Sequence, residues 1–347
     1  MKPISTALCS YGMSGKIFHA PFISVNPNFN FYGVLERTKN LTQKQYPDVK
    51  TFRTLEDLLD DENIELVVVN TPNITHYDFS KKVIEAGKHL VIEKPFTGTT
   101  REAEELIELA KENNVVISVY HNRRYDSDYK TVKKILDEGW LGDIVEAEFH
   151  YDRYNPNLSY KVHKETPTAA VGSLYDLGSH LIDQALVLFG MPNALFADLE
   201  SYRPNSKVDD YFDLKLFYSS YRVVLKSSYY VRETLPESVI HGTKGSFIKP
   251  KGDVQEQELQ AGKMPNSQDW GKESNEVKGF LHIEKDGIVI KKHITSKRGN
   301  YMEYYDNIYN AIRHNKPVPV TAMDGMNVIK VIEAALQSNK ENKVIDL

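Results

Sequence analysis

The run Leu66-Val67-Val68-Val69 constrains this chain more than any other feature. Four consecutive apolar residues with no polar alternation suit a strand covered on both faces, the situation in a parallel sheet flanked by helices. Short runs of the same kind recur at Ile4–Cys9, Phe31–Leu35, His89–Ile92 and Val115–Val119. Helical periodicity fills the intervals. Tyr77–Ala86 sets Phe79, Val83 and Ala86 on one face and stops at Gly87. Glu102–Glu112 groups Leu106, Leu109 and Ala110 behind a capping threonine, Thr99 or Thr100. Strand and helix in alternation predict βαβ units and an α/β fold with a doubly wound parallel sheet.

Beyond residue 121 the texture changes. A helix at Asp128–Glu138 leads to Ile144–His150, a polar loop through Thr168 and an apolar helix at Leu174–Phe189. Strand-like stretches follow at Leu195–Tyr202, Phe212–Tyr218, Val223–Tyr230, Ser238–His241, Gly245–Ile248, Leu281–Glu284 and Ile288–His293, and helices at Met302–His314 and Met323–Asn339 close the chain. This part reads as an α+β domain with an open, mostly antiparallel sheet. Because one core seldom serves 347 residues, two domains are expected, 1–121 and 122–347. The polar residues 251–278 read as a long surface excursion.

Composition removes several classes. The 43 basic and 48 acidic residues give a net charge of −5, without the basic footprint of a nucleic-acid binder. No apolar run approaches the roughly 20 residues of a membrane helix. The N-terminal stretch reaches Tyr11-Gly12 before a signal-peptide core forms, and the single Cys9 allows no intrachain disulfide. A cytoplasmic setting fits these features.

Ser10-Tyr11-Gly12-Met13-Ser14-Gly15 directly follows the first strand. It is a G-x-G-x-x-G frame with serine in the first position. Gly12 allows a pyrophosphate to approach the backbone, Gly15 allows tight helix–strand packing, and the following helix N-terminus presents N–H groups. The bland alternative is a structural turn. Glu36 closes the second strand, where an acid accepts the adenosine ribose hydroxyls and favours NAD; Arg37, next to it, suits the 2′-phosphate of NADP. The pair also reads as a solvated ion pair. NAD is the preferred of the two cofactors.

Glu93-Lys94-Pro95 ends the strand His89–Ile92. A lysine at that edge is placed to donate to a substrate hydroxyl and to stabilise a developing alkoxide, although a Lys-Pro step is commonly a surface turn. Asp176, His180 and Asp183 fall on one face of the apolar helix. Histidine suits proton transfer near neutral pH, and an aspartate one turn away orients it; the alternative is a satisfied core histidine. These three side chains are also possible metal ligands, but no H-E-x-x-H and no cysteine cluster accompanies them, so no metal site is expected. No G-x-S-x-G elbow marks a serine nucleophile.

The ordered set Tyr11–Gly15, Asn70-Thr71-Pro72-Asn73-Ile74-Thr75-His76, Glu93-Lys94-Pro95 and Asp176-x-x-x-His180 resembles the Gfo/Idh/MocA oxidoreductases along essentially the whole chain. Ala86–His89, His121–Asp126 and His241–Ser246 are similar to a branch with bacterial scyllo-inositol dehydrogenases, often NADP-dependent. The resemblance implies an N-terminal Rossmann domain and a C-terminal domain whose exposed sheet face forms a homodimer. It implies that Lys94 contacts substrate and nicotinamide, that His180 takes the hydroxyl proton, and that Asp176 positions substrate or histidine. Tyr11, Gly12, Met13, Ser14, Gly15, Glu36, Arg37, Thr71, Pro72, Asn73, His76, Glu93, Asn122 and Arg123 form the expected cofactor-binding set. Tyr151, Arg153 and Tyr154 are expected to line the substrate site.

The activity expected is hydride transfer between NAD(P) and a secondary hydroxyl of a cyclic polyol or sugar. A non-catalytic dinucleotide-binding sensor and an imine or enone reductase on the same scaffold are the alternatives. Partners other than a small-molecule substrate and a second copy of the chain are not expected.

Overall fold

The computed structural model describes residues 2–347, the side chain of His163 excepted. The chain divides into two compact units. The first comprises Met1–Asn122, Val254–Gly271 and Asn300–Met326; the second comprises Arg123–Asp253, Lys272–Gly299 and Asn327–Leu347.

In the first unit six strands form one sheet: β1 (Ile4–Leu8), β2 (Phe29–Leu35), β3 (Lys50–Phe52), β4 (Leu66–Val69), β5 (His89–Ile92) and β6 (Ile117–Val119). Their order is β3-β2-β1-β4-β5-β6 and every pair is parallel. Every residue of Leu66–Val69 is buried, the sandwiched state its unbroken apolar run requires. The three-residue β3 was not foreseen, since so short an edge strand carries no period. Helix Thr100–Glu112 starts as its sequence indicates: the Thr99 hydroxyl accepts from the Glu102 amide, and the Glu102 carboxylate accepts from the Thr99 amide. Chain order reverses at β1, so the carboxyl ends of β1 and β4 flank the switch point at which such sheets bind ligands.

Two segments depart from the sequence reading, which assigned everything after residue 121 to one domain. Residues 254–271 and 300–326 belong to the first unit. Nor is 251–278 a surface excursion throughout. It contains the helix Gln255–Gln260, and Trp270 is buried. The Trp270 indole donates to Gln255 Oε1 at 3.2 Å, and its ring lies 6.1 Å from Phe22. Gln255 Oε1 also accepts from the Tyr301 amide. A polar glutamine thus holds two apolar aromatics inside the core, which masks the segment's role from any hydropathy pattern.

The second unit contains a nine-stranded sheet built from β7 (Ile144–His150), β8 (Ala194–Glu200), β9 (Tyr211–Phe217), β10 (Arg222–Ser228), β11 (Ser238–Gly242), β12 (Gly245–Lys249), β13 (Gly279–Lys285), β14 (Ile288–Ile294) and β15 (Ile345–Asp346). The order is β14-β13-β12-β11-β7-β10-β9-β8-β15. All pairs are antiparallel except β7 with β10. Helix Ser179–Phe189 lies against this sheet, with Phe189 6.1 Å from Phe149 of β7. Gly172 precedes it with φ +110°, and a Cβ there would stand 1.9 Å from Asp209 Oδ1. Only glycine fits, because Asp209 must come close to accept from the Leu174 amide and the Ser173 hydroxyl, both at 2.7 Å.

Candidate active site

In the first unit the expected cofactor residues gather at the carboxyl ends of β1, β2, β4 and β5. The turn after β1 is stitched to β4 through the serine that departs from the glycine pattern. The Ser10 amide donates to Asn70 Oδ1 at 2.9 Å, the Ser10 hydroxyl donates to the Asn70 carbonyl at 2.8 Å, and Asn70 Nδ2 donates to the Ser10 carbonyl at 2.9 Å. Asn70 was not singled out as a functional position, although its place at the switch point marks it.

The two glycines of the turn differ in their surroundings. A Cβ on Gly15 would lie 2.4 Å from the Ser10 carbonyl oxygen and 2.9 Å from Asn70 Nδ2, so packing alone demands glycine there. A Cβ on Gly12 would meet nothing nearer than Ser10 Oγ at 3.8 Å. The protein does not use that space, and a pyrophosphate fits it. Tyr11 turns inward and donates to Gln45 Oε1 at 3.0 Å, leaving only its backbone for a ligand, whereas Met13 is exposed. The residues Gly15–His19 form a π-helical turn rather than an α-helix. Such turns concentrate at functional sites.

The Ser14 hydroxyl donates to Glu93 Oε1, which ties the turn to the residue before Lys94. His19 Nε2 stands 3.0 Å from the same oxygen, and His19 Nδ1 stands 2.6 Å from the Tyr305 hydroxyl. Glu93 Oε2 accepts from the Lys94 amide at 3.1 Å. Burial pushes the Glu93 carboxyl up, but His19, the Ser14 hydroxyl and Lys94 outweigh it and bring the pKa down to about 2 from an ordinary 4.5. A depressed carboxylate stabilises the fold above its unfolded pKa and loses that contribution as pH falls through its folded value. Glu93→Gln is therefore expected to lower Tm between pH 5 and 8, with the deficit closing as pH approaches about 2. Thermal melts of both proteins across that range check it; a deficit that does not change with pH would remove the ionic role.

Two expected cofactor residues are committed elsewhere. His76 is fully buried, with Nδ1 2.8 Å from the Pro95 carbonyl and Nε2 3.0 Å from the Thr71 carbonyl. Both ring nitrogens thus brace the loops that carry Thr71 and Pro95. Thr71 and Asn73 are half-buried and Pro72 is exposed, so that loop itself is reachable. Glu36, expected to read a ribose, uses both carboxylate oxygens internally. Oε1 accepts from the Leu41 amide, and Oε2 accepts from the Thr42 amide and hydroxyl, at 2.9 to 3.0 Å. Arg53 closes the same loop by donating to the Glu36 and Lys39 carbonyls. Arg37 is exposed and makes no hydrogen bond or ion pair among the described residues.

In the second unit the helix of Asp176 and His180 also opens with a π-helical turn, Leu174–Gly178. His180 is buried, and its ring lies 6.4 Å from that of Tyr151, nearly parallel to it. The Asp176 carboxylate accepts from Lys164 at 2.9 Å. Asp183, on the same helix, is bound by Arg124 through two bonds of 2.6 and 2.8 Å, a structural fork. Asn122 and Arg123 are both buried; Arg123 Nη1 is 3.4 Å from Asp126. Tyr154 is exposed, and its hydroxyl accepts from Arg232 at 2.7 Å. Arg203, unremarked in the sequence, anchors the polar loop: it binds Asp210 at 3.0 Å, Glu165 at 3.1 and 3.2 Å and the Asn157 carbonyl at 3.1 Å.

Residues 4–121 match a family model described as the NAD-binding Rossmann fold of an oxidoreductase family, and residues 133–347 match that family's C-terminal alpha/beta domain. The chain belongs to the Gfo/Idh/MocA oxidoreductase family. Among its relatives, a scyllo-inositol 2-dehydrogenase (NADP(+)) of Bacillus subtilis is 40% identical over 344 residues, spanning 99% of this chain and 96% of the relative. A levoglucosan dehydrogenase of Pseudarthrobacter phenanthrenivorans is 33% identical over 152 residues, 42% of this chain and 38% of its own. A solved oxidoreductase from Bacillus cereus superposes with a TM-score of 0.92 at 34% identity, covering 99% of this chain and 98% of that one. The Gfo/Idh/MocA assignment makes the chain an oxidoreductase with an NAD(P)-binding Rossmann domain. The open space at Gly12 fits such a dinucleotide. No helix among the described residues is long and apolar enough to cross a membrane.

Proposed function

We propose that this protein is an NADP-dependent dehydrogenase that oxidises a secondary hydroxyl of a polyol or sugar. The observation that carries the reading is the hydrogen bond from Ser14 to Glu93. It couples the phosphate turn to the residue preceding Lys94, so the lysine is held in register with a bound dinucleotide. The whole-length similarity to a scyllo-inositol dehydrogenase supports the substrate class.

The nicotinamide cofactor, when bound, supplies the hydride acceptor. Lys94 donates to the reacting oxygen and stabilises its negative charge as the hydroxyl proton leaves. His180 accepts that proton, a role for which an imidazole is suited. Asp176, one turn before, positions the substrate and the imidazole. The carboxylate of Glu93 holds the Lys94 backbone and keeps the local charge balanced. The enzyme is taken as a cytoplasmic homodimer joined through its open sheet.

The preference for NADP reverses the expectation from sequence. Glu36 is occupied by the Leu41 and Thr42 amides, while the Arg37 guanidinium is available to a 2′-phosphate. Parallel titrations with NAD, NADH, NADP and NADPH test both parts. NADP(H) is expected to bind at least about tenfold more tightly than NAD(H), and Arg37→Glu to erase that margin. Preference for NAD(H) would return the role to Glu36. Failure to bind all four would end the dehydrogenase reading.

A further inference from the structure

In the second unit three cationic groups surround the ring of Tyr151. Lys251 Nζ is 3.5 Å from the ring centroid, the Arg153 guanidinium carbon 5.2 Å and that of Arg123 5.8 Å. They arrive from separate elements: Arg153 from just beyond β7, Lys251 from just beyond β12, and Arg123 from the turn before helix Ser127–Asp137. The platform is firmly held, since the Tyr151 amide donates to the Lys226 carbonyl at 2.9 Å and the Ser227 hydroxyl donates to the Tyr151 carbonyl at 2.8 Å. His180 stacks on the same ring at 6.4 Å.

Cation–π attraction offsets only part of the repulsion among three like charges. Nearby carboxylates supply part of the rest, Asp176 acting on Arg153 and Glu237 and Asp128 on Lys251, but each is shared. Asp126 pairs with Arg123, and Asp176 with Lys164. Asp152 is directed to His150 and to the Ser228 amide. Glu237 lies 3.6 Å from Lys251, and burial and the neighbouring Asp128 carboxylate push its pKa well up, which weakens it as a counter-charge. Arg153 is exposed and its guanidinium makes no hydrogen bond or ion pair among the described residues, and the Lys251 side chain is half exposed. Arg153 and Lys251 thus share their counter-charges, and both stand at the Tyr151 ring and reach solvent.

We infer that the substrate carries a carboxylate, received by Arg153 and Lys251 over Tyr151 while its reacting hydroxyl lies at His180: the enzyme acts on a sugar acid or a polyhydroxy acid. The guanidinium fork matches a carboxylate in two parallel bonds, and Lys251 adds a point charge. Tyr151 offers its apolar face to the carbon chain. The inference rests on the dehydrogenase reading for the placement of the hydroxyl, but not for the anion site itself.

Calorimetric titrations with matched acid and neutral probes test it: gluconate with glucitol, glucuronate with glucose, and galacturonate with galactose. They are run on the protein with and without NADPH, so that no turnover is needed. At least one acid is expected to bind about tenfold more tightly than its neutral partner and to weaken as salt rises. Arg153→Met and Lys251→Met should each remove most of that margin, and Arg153→Lys should restore part of it. If no acid outbinds its partner, or if both methionine variants keep the margin, the inference is overturned. Acid preference without NAD(P)H formation from any probe would sustain the anion site and defeat the dehydrogenase reading. Oxidation of neutral polyols with no acid preference would do the reverse.

Discussion

Lys94→Ala and His180→Ala are each expected to lower kcat by at least about a hundredfold. The two losses arise differently. Without Lys94 the oxygen loses a charged donor at the moment its own charge develops, a low-dielectric effect that water replaces poorly. Without His180 the hydroxyl proton has no acceptor, and the rate should become proportional to hydroxide over a wide pH range. Lys94 follows Glu93, whose carboxylate holds the lysine's own amide, so truncation at Cβ leaves the backbone bonds in place. His180 is buried against Tyr151, and its alanine variant leaves a void costing about 1–3 kcal/mol. His180→Asn, of closer volume and no basicity, separates the chemical loss from the packing loss. Steady-state rates from pH 5 to 10 decide the matter. Turnover within about threefold of wild type in both alanine variants would discard the assigned roles.

The glycine turn offers the second large effect, as a contrast between two alanines. Gly15→Ala is expected to destabilise the protein by about 1–3 kcal/mol and to abolish cofactor binding. Its Cβ would stand 2.4 Å from the Ser10 carbonyl oxygen, a backbone atom that cannot rotate away, and would push on the amide of Asn70 that closes the turn. Gly12→Ala should fold with an unchanged Tm, because its Cβ would have only Ser10 Oγ within reach, at 3.8 Å. It should nevertheless lose at least about tenfold in dinucleotide affinity, because the methyl group occupies the space through which a pyrophosphate approaches. Melting curves and NADPH titrations on both variants give the comparison. Unchanged affinity in Gly12→Ala would remove the phosphate role from this turn and leave it a structural one.

Local signals were sufficient for the parallel sheet, the glycine turn, Thr99 as a cap and the lysine at the end of β5. Hydrophobic period, turn chemistry and capping all act within a few residues, so a reader of the chain sees them directly. They also sufficed for the mostly antiparallel second sheet, but not for its single parallel pair, β7 with β10, whose strands are separated by more than seventy residues of chain.

What a polar residue is committed to depends instead on which distant segment folds against it. The Glu36 carboxylate accepts from the Leu41 and Thr42 amides of a loop that turns back onto it, which no local pattern shows. The His76 ring lies between the Thr71 and Pro95 carbonyls, the second of them nineteen residues away. Residues 254–271 looked like a polar loop until Gln255 bound Trp270 and the Tyr301 amide. Lys251 carried no signal in the sequence at all, yet it stands against a tyrosine one hundred residues earlier. Periodicity and turn chemistry made this chain a two-domain dinucleotide-binding protein on sight. The partner of each charge was decided only by tertiary folding, because a buried or crowded polar group must be satisfied by whatever the fold brings to it.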